Sequence, residues 1–365
     1  MKKLALLLTF LFSTHSHAIE FEDAVFPELA TSSRALAMGN AFISKVDDSS
    51  AAFYNPAGLG TVRFTHLHIS NFQLETNKGW LNSATSGKTT DALTKFPKAF
   101  SLDGTRELLL DHKGKLSHSR FQVLPNFTTR YFTLGYLFAF QQRAMIGQET
   151  GAQFEYAQRR DHGPYMGLNL SLFGGVFKAG VTATLLNRKE AIGTADPNVT
   201  IKLEDSDYDQ GSMFLLNTGL KLTLPVSFLP TFSIVSHNSA QQDFSKTKGS
   251  ARAPDGIKNT IDAGFSVTPQ IGKVVRVHFE ANMKDITNLY PDVASSRKFL
   301  AGLELDIART FFMRVGYGDG FGSGGIGIKT RKLEFDLTTY AVDTTTNEFR
   351  GKEDRRFVIG FSSGF

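Results

Sequence analysis

Three spacings in this chain could do chemistry. His66 and His68 stand two residues apart, so on a strand their rings share a face and could grip a metal if further ligands converged. No carboxylate can be matched to them from the sequence, and histidines on a lumen wall or rim need no metal. His278 and Glu280 repeat the spacing and set a base beside a carboxylate. No serine-centred motif supplies the nucleophile that a barrel hydrolase would need. Gly322, Gly324 and Gly327 match the glycine pattern of a dinucleotide loop, inside a run from Gly316 to Gly327 that holds seven glycines. A strand pattern follows, not the helix whose N-terminus would hold phosphates, so the run reads as a Gly-rich hairpin. Cysteine is absent, which removes disulfides, thiolate metal sites and Cys nucleophiles. The residues therefore predict no enzyme: no catalytic residue, metal or cofactor is assigned.

The elements that carry these residues alternate. Val275, Val277, Phe279, Ala281 and Met283 lie on one face, and Arg276, His278, Glu280 and Asn282 on the other. Leu333, Phe335 and Leu337 oppose Glu334, Asp336 and Thr338, and Phe177, Ala179, Val181 and Ala183 oppose Lys178, Gly180 and Thr182. Segments of about ten residues, apolar outside and polar inside, are the signature of a transmembrane antiparallel β-barrel. Arg276, His278, Glu280 and Asn282 are then expected to face the lumen. A soluble β-sandwich would invert this geometry, and the chain ends argue against it. Phe357, Ile359, Phe361 and Phe365 share one face up to the final residue, with Ser363 alone interrupting the row. Such a strand suits lipid and the closing seam of a barrel, and is expected to serve as the signal that barrel assembly machinery reads. At the other end, Lys2 and Lys3 precede an apolar run from Leu4 to Phe12, and Ser16-His17-Ala18 offers a cleavage site. Residues 1–18 read as a secretory signal peptide.

Composition agrees. Thirty-three phenylalanines against one tryptophan is a heavy aromatic load, and no apolar run of about 18 residues follows the signal. A membrane protein without such a run must be a closed barrel, because backbone groups in hydrocarbon need partners. The formal charge of +5 drops to +3 without Lys2 and Lys3, and the basic residues are scattered, so nucleic acid is a poor partner. Outer-membrane lipid is the expected one, in a Gram-negative bacterium.

Strand candidates run roughly 61–70, 119–128, 131–142, 151–173, 175–187, 211–223, 229–238, 258–268, 273–283, 297–306, 309–317, 322–331, 332–342 and 355–365. The stretch 151–173 must be one strand, kinked or bulged near Arg160–Pro164, for short and long connections to alternate. The count is then fourteen and even, as bacterial barrels require. Residues 61–365 form the barrel. Residues 71–118 form a long first external loop, with a short helix near Glu107–Leu110.

Residues 19–60 lack barrel periodicity. Ser33 is placed to cap a short helix ending near Gly39, and Asp47-Asp48-Ser49-Ser50 offers a second cap before Ala51. Asn55-Pro56-Ala57-Gly58-Leu59-Gly60 bends tightly. A compact segment of small residues suits a plug in the lumen, or equally an ordered tail packed under the barrel. Arg34-Ala35-x-Ala37-Met38-Gly39-x-Ala41-Phe42, then Asp47-Asp48-x-Ser50-Ala51-x-x-x-Asn55-Pro56-Ala57-Gly58-Leu59, resembles the start of the FadL-type outer-membrane transporter superfamily, which includes the PorV-like barrels. The resemblance implies fourteen strands and an N-terminal hatch. It carries the hatch's Asn-Pro-Ala stretch near the ligand route onto Asn55, Pro56 and Ala57, with Gly39, Asp47 and Asp48 in the same motif. It implies passive uptake of hydrophobic small molecules such as long-chain fatty acids. The alternative is a PorV-like barrel that binds an envelope protein in secretion or surface attachment.

Overall fold

The computed structural model describes residues 29–63, 65–85, 96–247, 249–250, 252–272, 274–330, 332–344 and 353–364. The expected signal peptide and Phe365 lie outside them. The strands are β1 (His66–Asn77), β2 (Ser117–Val123, resuming as Asn126–Thr128), β3 (Phe132–Ile146), β4 (Phe154–Leu172), β5 (Phe177–Ala195), β6 (Asp209–Thr223) and β7 (Thr231–Ser236). They continue as β8 (Ile261–Val267), β9 (Val275–Met283), β10 (Phe299–Ile307), β11 (Phe311–Gly318), β12 (Phe321–Lys329), β13 (Leu333–Asp343) and β14 (Glu353–Gly364). Each pairs antiparallel with the next, and β14 pairs with β1, with Phe361 opposite Phe72 and Ile359 opposite Leu74. The result is a closed fourteen-stranded barrel, as the alternation requires.

The two faces explain the closure. Leu134, Met166, Leu168, Leu170, Phe232, Met313, Ile326 and Phe335 all stand exposed on the outer wall. Phe357 and Ile359 lie on the same wall, and Phe361 is half-buried. In water this surface would be an aggregation hazard; in hydrocarbon it is a match.

Three local expectations change. The first strand begins at His66, not at 61, because Pro56–Thr61 winds as a 3-10 helix. It runs on to Asn77, pairing with β14 through a stretch that looked like loop because Gln73 and Glu75 face inward. The external connection therefore starts at Lys78, with α3 (Lys78–Thr85) and α4 (Leu102–Leu110) in it. β4 is one strand as expected, but carries no bulge toward β5. His162 pairs with Asn187 and Tyr165 with Thr184, so the register is constant and Gly163-Pro164 leaves a gap. Proline has no N–H to give the ladder.

Short turns gather at one end and long connections at the other, with one exception. β11 and β12 meet at the long-loop end through a two-residue turn, Asp319-Gly320, with φ of 51° and 85°. Positive φ at both positions is what a tight hairpin of right-handed twist requires. At the same end α4, capped by the Ser101 hydroxyl, packs Leu102 and Leu109 against Ile146 and Phe154.

Candidate functional site: a plug seated in the barrel lumen

Residues 29–62 occupy the inside of the barrel. Two helical turns, α1 (Ser33–Ala37) and α2 (Ala51–Tyr54), and the 3-10 turn after them are buried almost throughout. Too short to be stable alone, these turns are held by the wall. The expected caps differ: Ser32, not Ser33, precedes α1, and Ser33 Oγ instead donates to Asp336 at 3.4 Å. Asp48 accepts from the backbone and hydroxyl of Ser50 at 2.9 and 2.5 Å, closing a turn before α2 rather than capping the helix.

Arg34 is the centre of the contact. Its guanidinium donates to both carboxylate oxygens of Glu304 at 2.7 Å, and to Asp47 at 2.7 Å and Asp48 at 3.3 Å. From the wall, Arg314 adds bonds to Glu304 at 2.8 Å and Asp336 at 2.5 Å. Burial alone would lower the Arg34 pKa, but Asp47 and Glu304 beside it hold it well above its ordinary value. Burial would likewise raise Asp47, yet Arg34, then Lys45, hold it well below the usual carboxylate range. Charges out of water persist only with such complete pairing.

The four inward residues of β9 occupy different settings. Glu280 accepts from the backbone N–H groups of Ser44 and Lys45 at 2.7 and 2.8 Å, clasping a plug turn. His278 Nε2 lies 3.2 Å from Glu280 and its Nδ1 2.8 Å from the Thr268 hydroxyl. Arg276 pairs with Asp306 on β10. Asn282 is buried beside Ile43, with no hydrogen-bond partner for its amide among the described residues. Asn55 accepts from Ala57 N–H at 3.0 Å and donates to the Ile43 carbonyl at 2.8 Å, and Pro56 opens the 3-10 turn. His66 and His68 stack at 5.3 Å beside a polar cleft between plug and wall, and His68 Nδ1 lies 3.3 Å from the Asn126 amide oxygen. Among the described residues no group of three or more His, Asp or Glu is placed to hold a metal.

Glycine seats were missing from the sequence reading. A Cβ on Gly316 would strike Met38 and Gly39, and one on Gly318 would strike Gly39. Gly180 and Gly219, opposite each other on β5 and β6, lie against Pro56 and Asn55. Gly325 meets Ala37, and Gly360 meets Ser33. Gly39 itself has φ 64° and runs against the Tyr317 backbone, so both partners need glycine there. The Gly-rich hairpin is thus a hairpin and also a seat for the plug. Gly322 and Gly324 meet only carbonyl oxygens of β11, at 4.0 and 3.5 Å, and touch no plug atom.

The lumen wall, expected to be mostly polar, carries apolar sectors, a small one where Leu36 packs on Tyr340, Val342 and Val358 and a larger one. On the long-loop side of the plug, Leu29, Ala52 and Phe53 meet inward side chains of β3 to β6: Leu137, Tyr165, Leu186, Met213 and Leu215. Phe53 and Tyr165 pack edge to face at 4.9 Å. Inward leucines on an otherwise polar face are the one signal that could have located this cluster from sequence.

No family model matches the sequence, and no curated protein matches it. Among solved structures, the chain is similar to the Ralstonia pickettii toluene transporter TbuX, with a TM-score of 0.50 at 10% identity over 92% of this chain and 98% of that one. The CymD monoaromatic hydrocarbon channel aligns with a TM-score of 0.49 at 9% identity, over 91% and 97%. A Pseudomonas aeruginosa FadL homologue gives 0.47 at 10%, over 92% and 98%. Identities this low speak for the fold alone: the chain shares the closed β-barrel fold of TbuX over nearly its whole described length.

Proposed function

We propose that this protein is a passive outer-membrane channel for hydrophobic small molecules. Residues 19–60 would be its hatch and 61–365 its barrel, set in the outer membrane of a Gram-negative bacterium. The observation that carries the reading is the apolar cluster between plug and wall. Leu29 and Phe53 pack against Leu137, Leu186 and Met213, whereas Arg34 meets the wall through an ion pair with Glu304. A general diffusion pore has no use for such a sector; a route for apolar solutes does. Asn55, Pro56 and Ala57 lie directly beneath it, on the glycine pair of β5 and β6. A solute entering from the long-loop side partitions among these apolar side chains and proceeds when the plug shifts off its seats. Fatty acids and monoaromatic hydrocarbons both suit the chemistry of these side chains.

Uptake of labelled decanoate and labelled toluene into proteoliposomes tests this. The wild-type protein is expected to carry at least one of them. If neither it nor a variant lacking residues 29–62 carries either solute, the channel reading fails. A partner-binding role draws on the external loops, which interlock where Arg106 donates to the Pro197 carbonyl and Ile201 N–H to Asp103. A native mass spectrum of gently extracted protein separates the two: a lipid-sized ligand favours passage, a bound polypeptide favours docking.

A further inference from the structure

Strands β3 to β5 carry a boundary on their outer face. Leu137, Tyr165 and Leu186 pack on the plug, so alternation sends Phe138, His162 and Asn187 outward, and with them Phe140, Arg160 and Lys189. Upward along β4 from the short turns, the outward residues are Leu172, Leu170, Leu168, Met166 and Pro164, all exposed. Along β5 they are Phe177, Ala179, Val181, Ala183 and Leu185. Polarity begins at His162 and Asn187, which face each other, and Arg160 stands opposite Lys189 in the next outward row. From Leu172 to His162 the strand climbs about 33 Å, at about 3.3 Å per residue. Tilted by about 40°, that is about 25 Å of height, which matches the lipid-facing band of a barrel. The His162 row therefore marks the edge of the hydrocarbon, and the Arg160 row lies at headgroup level.

One row higher, protein replaces lipid on the outer wall. Gln158 faces outward yet is buried, donating to Gln142 at 2.9 Å and accepting from the Tyr208 hydroxyl at 2.9 Å. Gln142 donates to Thr105 of α4 at 2.7 Å, so α4 covers the wall there. Lipid below and a protein ledge above leave the Arg160 row as a step. Arg160 is exposed, with its guanidinium 5.5 Å over the Phe140 ring. Among the described residues that guanidinium has no hydrogen-bond or ion-pair partner. Stacking holds its plane and leaves the N–H fork open. Lys189 rests 4.1 Å over the Tyr208 ring and pairs at 2.5 Å with Asp205, whose carboxylate is almost fully exposed. An ion pair so wetted contributes little and yields to a stronger anion. The Tyr136 hydroxyl and His162 Nδ1, 2.9 Å apart, add polar groups at the same edge.

We propose that Arg160 and Lys189 hold the phosphate of a lipid headgroup in the leaflet on the long-loop side. The acyl chains lie on Phe138, Leu185 and Phe214, exposed beside and below the step. An arginine fork with an ammonium beside it suits the oxygens of a phosphate. The site ties the barrel to one kind of lipid and is independent of what passes through the lumen.

The test mixes purified protein in a neutral detergent with equal amounts of lipid A, a glycolipid bearing two phosphates, and the same lipid freed of phosphate. Native mass spectrometry then counts the lipid retained. The wild type is expected to keep the phosphorylated form at least about tenfold over the other. The Arg160→Gln, Lys189→Gln double variant should keep the two within about twofold. A Lys113→Gln, Lys258→Gln variant removes equal charge from exposed positions on other external connections and should retain the wild-type preference. An unchanged thermal midpoint in both variants excludes misfolding as the cause. Equal retention by the wild type, a preference that survives in the double variant, or equal loss in the control overturns the site. Displacement of the lipid by equimolar inorganic phosphate would mark a soluble anion as the occupant and overturn it too. Uptake of decanoate or toluene bears on the channel and leaves this result untouched.

Discussion

Arg34 bears more of the plug's attachment than any other single side chain described here, since it joins plug carboxylates to a wall carboxylate in one buried cluster. Replacing it by methionine keeps much of the volume and strands Glu304 with Arg314 alone. Breaking one partner out of a buried pair costs about 3–5 kcal/mol. Amides 35–46 should then exchange with solvent at least about a hundredfold faster, as read by hydrogen-exchange mass spectrometry. Unchanged exchange would mean that the glycine seats hold the plug by themselves. Acid has a defined sign. The Asp47 carboxyl titrates lower in the folded protein than in the unfolded chain, where it titrates near about 4. Its contribution is therefore complete above that value and is lost as pH falls through the depressed folded value. Protection of residues 34–48, corrected for intrinsic rates, should match at pH 7 and pH 5 and fall by pH 3. Loss of protection between pH 7 and 5 would point to a different titrating group.

Elements meet at the glycine seats, and here a paired substitution discriminates. Gly316→Val places side-chain atoms into Met38 and Gly39, an overpacking of about 1–3 kcal/mol that the plug relieves by moving. Gly324→Val, on the neighbouring strand of the same hairpin, meets only the Arg314 carbonyl oxygen at 3.5 Å, an ordinary contact. In planar bilayers the first should raise ion leak through the lumen and the second should not. Equal leak from both would mean that the hairpin's flexibility matters and its fit to the plug does not. This pair also shows what the sequence could tell. Strand period, lipid-facing leucines and alternating loop lengths made fourteen strands legible, because each signal is local and repeats around the barrel. A glycine in a strand looks the same whether it forms a turn, lightens a wall or admits another backbone. Gly316 and Met38 lie far apart in the chain, and no local pattern relates them. The same distance hid the pairing of Glu280 with Ser44 and Lys45, although the inward face of β9 was plain from alternation. β1 was misplaced where polar inward residues, Gln73 and Glu75, diluted the alternation that marked its neighbours.

Taken whole, the molecule is a greasy cylinder with an apolar cluster inside and a plug fixed across it by ion pairs and backbone contact. If solutes pass, the plug must leave some of those contacts, and the chain's lack of cysteine gives a clean way to forbid it. Ser33 Cβ lies 3.1 Å from where a Cβ on Gly360 would stand, slightly inside the 3.5–4.5 Å that a disulfide spans. A Ser33→Cys, Gly360→Cys variant should therefore cross-link α1 to β14 on mild oxidation, with no native thiol to mispair. Oxidised protein in proteoliposomes is expected to lose most of its uptake of labelled decanoate or toluene, and reductant should restore it. Each single-cysteine variant, treated alike, should be unaffected. Full uptake with the plug locked would place the route beside the plug, through the polar cleft between Ser49, His66 and Glu334. That outcome would leave the barrel as a channel but remove the hatch from its mechanism. Loss on oxidation with recovery on reduction ties passage to movement of the segment that Arg34 and the glycines hold.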